Sequence, residues 1–249
     1  MSHVGPTSTA DFLQKQYFLA EHVYACELEH GAVFVDLHSL KYFGLDEDSL
    51  QFIPEIIGDW PSHRSHLGPP HETLPDSDVV HALSANGLLS KDIKPHPYFK
   101  SLPQADSDCS PNWNLSASLI SRLVMTMRIA STLTATRLAL RSRNLESFLA
   151  QLSSALSTPE NPTAPSLHKA VEILSLFAKA RVWFYTARDQ CLLDSLLLTS
   201  VLRKYGFAAH LYIGVDLNPF TAHAWTQIGP LLLDDTLSYV RKFTPILWV

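Results

Sequence analysis

Apolar and polar positions change period several times along the first ninety residues. Val33 and Val35 alternate with Phe34 and Asp36, the period-two pattern of a half-buried strand, and similar short runs cover 23–28, 32–36 and 41–45, with a turn at His30-Gly31. Asp46-Glu47-Asp48 then places acidic residues where a helix N-terminus favours them, ahead of Leu50, Phe52, Ile53, Ile56 and Ile57. Asp76 or Ser77 suits the cap of another helix carrying Val79, Val80 and Leu83, with a stop at Asn86-Gly87. Three small strands and a few short helices predict a compact, winged-helix-like module.

The period lengthens further on. Leu119, Leu123, Met127 and Ala130 recur at spacings of three and four, which predicts a long helical region over 115–156. Arg137, Arg141 and Arg143 along it read as solvated or ion-paired residues rather than a phosphate site. Another helix is expected over 167–180, and a third in RDQCLLDSLLLTSVLRKYGF (188–207), where Leu192, Leu193, Leu196, Leu197 and Val201 make an apolar stripe that Gly206 ends. Strand-like runs follow over 208–215, 222–228 and 231–235.

Prolines at 95, 97, 103 and 111 interrupt the stretch between the two patterns, removing backbone donors and biasing their predecessors away from helix. The expected organisation is therefore a first domain over 1–95, a linker over 96–113 and a second domain over 114–249, α+β overall, with a helical layer against an antiparallel sheet in the second. A further break, STPENPTAPS (157–166), separates helices within that second domain.

Composition narrows the function classes. The chain has 249 residues, is 46% hydrophobic and carries a formal net charge of −5, which gives nucleic-acid phosphates little to meet. No run of about 18 uncharged apolar residues is present to span a bilayer, and the first residues lack the basic and apolar regions of a signal peptide. Three cysteines make no disulfide framework. A cytoplasmic protein is expected.

Chemistry concentrates near Cys191. A helix starting at Asp189 or Gln190 would put this cysteine in the first turn, where unpaired backbone N–H groups and the helix dipole favour a thiolate. Taken alone, a free cysteine beside leucines is usually a small buried hydrophobe. Partners change the balance. PFTAHAWTQIGPLLLDDT (219–236) sets His223 in a strand-like run and Asp234 and Asp235 after the next one. Thiolate, imidazole and a carboxylate that orients the imidazole are the parts needed for acyl transfer. A three-residue loop over Ile228-Gly229-Pro230 would place His223 across from Asp235; a two-residue Gly229-Pro230 turn would favour Asp234 only with a bulge. Asp235 is the preferred partner and Asp234 the fallback. Cys26 and Cys109 have no such company, and His63, His66 and His71 lack regular metal-ligand spacing, so no metal site is expected.

CLLDSLLLTSVLRKYGFAAHLYIGV, followed by PFTAHAWTQ and DD, resembles the C-terminal domain of lasso-peptide leader peptidases, which have a transglutaminase-like cysteine-protease fold. The resemblance covers roughly 181–243. It implies that Cys191 is the nucleophile, His223 the general base and acid, and Asp235 the orienting carboxylate; the backbone N–H of Cys191 suits an oxyanion donor. GAVFVDLHSLKYFGLDED (31–48) resembles the family's precursor-recognition domain, here fused. That implies leader binding by strand addition at Lys41, Tyr42 and Phe43, beside a helix carrying Val79, Val80 and Leu83. The implied partners are a lasso precursor peptide and an asparagine-synthetase-like macrolactam synthetase. Any ATP requirement would belong to that synthetase, since the chain has no GxxxxGK[ST] loop. Asp194 departs from the family pattern, which usually has a basic residue there.

Three rival readings stand beside a peptidase. One is a transglutaminase-like acyltransferase using an amine acceptor. Another is a leader-binding adaptor whose C-terminal domain is not catalytic. A winged-helix DNA regulator is disfavoured by the acidic charge balance.

Overall fold

The computed structural model describes residues 17–58, 60, 77–92, 104–141, 145–154, 166–186 and 190–249. The chain divides into two compact units, 1–98 and 99–249. The architecture is α+β in both, as the pattern of periods implied.

Unit 1 is built on three antiparallel strands in the order β2 (Val23–Leu28), β3 (Gly31–Asp36) and β4 (Lys41–Asp46). β3 is buried along its whole length, so its alternation of Val and Phe serves two covered faces. A two-stranded ribbon of β1 (Phe18–Leu19) and β5 (Leu89–Ser90) lies alongside in sequence order. Asp46 caps α1 (Glu47–Leu50), accepting the Ser49 amide at 2.9 Å, and α2 (Ile53–Ile56) follows with proline in its first turn. α3 (Ser77–Ala85) ends at Gly87, whose φ of +71° is the left-handed turn that lets the chain leave the helix. Phe34, Ile53, Ile57, Leu83 and Leu88 fill the core of this unit.

In unit 2 helices pack on one mixed sheet of order β10-β7-β8-β9-β6. β7 (Ala209–Leu217), β8 (Phe220–Ile228) and β9 (Leu231–Leu232) form consecutive antiparallel hairpins. β10 (Thr244–Trp248) adds antiparallel to β7 at one edge, where Pro245 removes no ladder bond that a neighbour needs. At the other edge β6 (Ser107–Asp108) pairs parallel with β9. The stretch read as linker, 96–113, is therefore not all connection: its residues 107–108 are sheet, and the Asn112 amide bonds the Ser175 hydroxyl at 2.8 Å. Short polar strands at an edge give no periodicity for sequence reading to detect.

Among the described residues, helices α4 (Leu119–Arg141), α5 (Leu145–Ser154), α6 (Leu167–Arg181) and α7 (Cys191–Lys204) complete unit 2, with a short α8 (Leu237–Val240) near the end. α7 is buried on nearly every side. Leu193, Leu196, Leu197, Leu198, Val201 and Leu202 are all interior, each worth roughly 1.5–3 kcal/mol of burial, so packing holds this helix more than propensity does. Tyr205 and Gly206, the latter at φ +85°, end it as expected. On α4 the spacing marked the helix but not its inner face. The Leu119, Leu123, Met127 stripe faces solvent, and Met125, Ile129 and Leu133 on the opposite side enter the core. Both faces carry apolar residues, so spacing alone could not say which one the fold would choose.

Candidate active site

The thiol of Cys191 sits at the first residue of α7, and Gln190 precedes the helix without capping it through its side chain. The Leu192 amide of the first turn bonds the Cys191 sulfur, with the positive end of the helix dipole behind it. Cys191 is partly buried and forms no disulfide. A hydrogen bond from His223 lowers its pKa most. Burial works against this, while the amides of Ala224 and Leu192 and the charge of His223 add to the lowering.

His223 lies on β8, directly across from Gly214 of β7. Its Nε2 is 2.5 Å from Asp235 Oδ2, which leaves Nδ1 as the ring nitrogen for Cys191. Burial disfavours the imidazolium, but the hydrogen bonds to Asp235 and Cys191 and the charges of both outweigh it, raising His223 to about 9. Aromatic rings fix the imidazole on several sides. Tyr239 meets it edge-on at 5.0 Å, Phe243 at 5.3 Å and Trp225 nearly parallel at 6.2 Å.

The hairpin leading to Asp235 differs from the expected one. Gly229 and Pro230 form a two-residue turn, with Gln227 across from Leu232 and Ile228 across from Leu231. Gly229 takes φ +56°, and a positive φ followed by proline suits a type II′ turn, in which only the first central residue needs the left-handed region. Continued regularly, this register would put Ala224 across from Asp235. Pairing stops instead: the Leu233 amide makes a last bond to Thr226 O at 3.1 Å, and the chain bends at Asp234 and Asp235. That bend lets Asp235 reach His223.

Asp234, the fallback partner, does different work. It accepts the Thr226 amide and the Ser195 hydroxyl, both at 2.9 Å, tying β8 to α7. Withdrawal from water raises its pKa to about 6, and the nearby Asp194 charge adds to this against its own hydrogen bonds. Asp194 is itself buried. It pairs with Arg181 and accepts the Tyr185 hydroxyl at 2.6 Å, so this departure from the family's basic residue brings its own ion pair. The sequence reading marks Asp194 and Asp234, but Ser195 and the ties that these residues make escape it. The signal was there: a helix buried all round must find partners for each polar side chain it carries.

The remaining candidates lie elsewhere. Lys41, Tyr42 and Phe43 fall on β4, which among the described residues is an outer strand of the three-stranded sheet β2-β3-β4. Val79 and Val80 pack partly buried against the unit 1 core, and Leu83 is inside it, which makes Leu83 a support rather than a contact surface. Cys26 is interior, its thiol pushed up to about 12 by burial; burial and the neighbouring Asp108 raise Cys109. His63, His66, His71 and Arg143 lie outside the described residues. Among the described residues, His22, Asp36 and His38 bring potential ligand atoms within 4.8 Å of one another. The Asp36 carboxylate is committed to closing its own turn, accepting the His38 amide at 2.7 Å and the Ser39 hydroxyl at 2.6 Å. The two imidazoles stack face to face at 4.1 Å. No helix among the described residues is long and apolar enough to cross a membrane.

A thiol at a helix start, a histidine on β8, a carboxylate from the bend after β9 and aromatic rings around the histidine are thus brought together in unit 2. Residues 130–248, just under half of the chain, match the model of the transglutaminase-like superfamily. The second unit carries a transglutaminase-like domain. This domain contains all three of Cys191, His223 and Asp235. Over 80 residues the chain is 28% identical to the Microcin J25-processing protein McjB of Escherichia coli, covering 32% of this chain and 36% of the relative. The match thus spans about a third of the length of that curated relative. No solved structure matches the chain. The transglutaminase-like domain and the processing-protein relative agree with the resemblance read from the sequence.

Proposed function

We propose that this chain is the leader peptidase of a lasso-peptide maturation system, with the transglutaminase-like domain as its cysteine-protease half. The observation that carries this reading is the continuous chain Cys191–His223–Asp235, with His223 bonded to both partners. Similarity to a microcin-processing protein supports a peptide precursor as substrate.

In the proposed reaction the Cys191 thiolate adds to the carbonyl carbon at the leader–core junction, and the carbonyl electron pair moves to oxygen. The open Cys191 amide at the helix start donates to that oxyanion. As the C–N bond breaks, the His223 imidazolium gives its proton to the departing core amine, leaving the leader as a thioester on Cys191. Water then attacks the thioester while neutral His223 takes its proton. The C–S bond breaks, and the leader leaves with a free carboxylate. Asp235 holds the ring through Nε2 in both halves, keeping Nδ1 toward the sulfur.

Leader capture falls to unit 1. An extended leader would add along the outer side of β4 at Lys41–Phe43, taking affinity from backbone hydrogen bonds and register from side-chain positions. The freed core amine would pass to an asparagine-synthetase-like macrolactam synthetase, the partner in which ATP is used, in the cytoplasm.

The same site would also perform transglutaminase-like acyl transfer if an amine replaced water at the thioester. Mass spectrometry of the released leader separates the two chemistries. A free C-terminal carboxylate supports the peptidase, and a leader carrying a new amide overturns it.

A further inference from the structure

Among the described residues, the outward face of α4 is left uncovered. Leu119 and Trp183 are 80% and 82% exposed, and Ile120, Leu123 and Met127 stand in the open beside Leu119 on the first three turns. Isolated apolar residues at a surface are ordinary, but a contiguous stripe on a helix whose other face already fills a core marks a contact surface. The core-facing residues of the same helix, Met125, Ile129 and Leu133, show that burying the stripe is not what holds α4 in place.

Shape and charge say what fits there. Arg122 and Thr126 of α4, with Leu176, Lys179 and Ala180 of α6 and the ring of Trp183, line one groove, apolar on its floor and cationic at its rim. Lys179 is held at that rim by donating to Leu115 O at 2.8 Å. The 23 residues of α4 include four arginines and no carboxylate, in a chain whose net charge is −5. No carboxylate lines the groove among the described residues. A bilayer would meet the protruding stripe without needing a groove, whereas a helix ridge inserts side chains between two helices.

We propose that this face docks an acidic amphipathic helix of a partner protein, its apolar side chains seated on Leu123 and Trp183 and its carboxylates on Arg122 and Lys179. The arrangement follows helix-in-groove recognition, in which anchors at i, i+4 and i+7 enter the groove and flanking charges set the partner's sign. The proposal does not depend on the peptidase reading.

Two labelled synthetic helices test it, each with leucines at i, i+4 and i+7. One carries glutamates and the other lysines at the flanking positions, and both are titrated into the full chain by fluorescence anisotropy. The glutamate helix should bind and the lysine helix at least about tenfold more weakly; Leu123→Glu and Arg122→Glu should each weaken the glutamate helix by about tenfold or more. Helical circular dichroism and iodoacetamide labelling of Cys191 should not change in either variant, since both substituted side chains are exposed. Equal binding of the two helices, no binding, or binding that survives both substitutions would overturn the proposal. So would sedimentation with phosphatidylglycerol vesicles, lost in Leu123→Glu, when neither helix binds; that result assigns the face to lipid.

Discussion

His223 Nε2 stands 2.5 Å from Asp235 Oδ2, a contact made by a chain that has just left its sheet. β8 supplies the imidazole from a regular strand, while the carboxylate comes from a bend held by Asp234 and by the Leu237 amide bonded to Asp108 at 2.7 Å. Asp235→Asn should keep this geometry but lose the charge that favours the imidazolium. Turnover of a cognate precursor should fall on the order of 10³–10⁴-fold in kcat with little change in melting temperature. Full activity in this variant would remove Asp235 from the mechanism.

The pH profile follows from the two shifted groups. The thiolate–imidazolium pair is populated above the depressed pKa of Cys191 and below that of His223, about 9. Cleavage, which needs the imidazolium proton for the leaving amine, should decline as pH rises through about 9. Iodoacetamide labelling, which needs only the thiolate, should not. In Asp235→Asn the alkaline limb of kcat/KM should move to lower pH, because the carboxylate charge that raises His223 is gone. Parallel loss of cleavage and labelling at high pH would contradict this account.

Gly214 faces His223 across the β7–β8 pair. A Cβ there would lie 2.7 Å from Trp225 Cη2 and 2.9 Å from Phe243 Cβ, closer than packed atoms tolerate, and both rings flank the imidazole. Gly214→Ala should therefore cost about 1–3 kcal/mol of stability and also lower kcat, read by thermal melting and by precursor turnover. A variant with wild-type melting and turnover would show that the rings have room to shift.

Asp234 titrates against the fold. Its folded pKa, about 6, exceeds that of an ordinary aspartate, so the native state binds the proton more tightly than the unfolded chain does. Its contribution is fully present below the unfolded value near 3.8 and is lost as pH rises through about 6. Asp234→Asn keeps an oxygen for Thr226 and removes the titration. Urea denaturation should show the variant gaining on wild type by roughly 1–3 kcal/mol between pH 4 and 7. A pH-independent difference would mean the carboxylate is ionised throughout.

Some of this architecture was legible in the chain and some was not. Cys191 at a helix start could be read because a leucine-rich helix must begin near the polar run before it, and His223 because it falls within a strand-like run. Asp235 was chosen through a three-residue loop that does not exist. It meets His223 because pairing ends at Leu233, a tertiary event that alternation cannot encode. The stripe on α4 was visible as spacing, but spacing carries no direction, and the core took the other face. The ties from Asp194 to Arg181 and from Asp234 to Ser195 join residues brought close only by packing.

Intact-mass spectrometry of a cognate precursor, mixed with the synthetase and ATP and with either this chain or its Cys191→Ala variant, tests the central claim most directly. The account predicts a released leader with a free carboxylate and a core lighter by one water, both only when Cys191 is present. Leader release and core closure by the alanine variant at the wild-type rate would contradict it and leave this chain as a leader-binding adaptor.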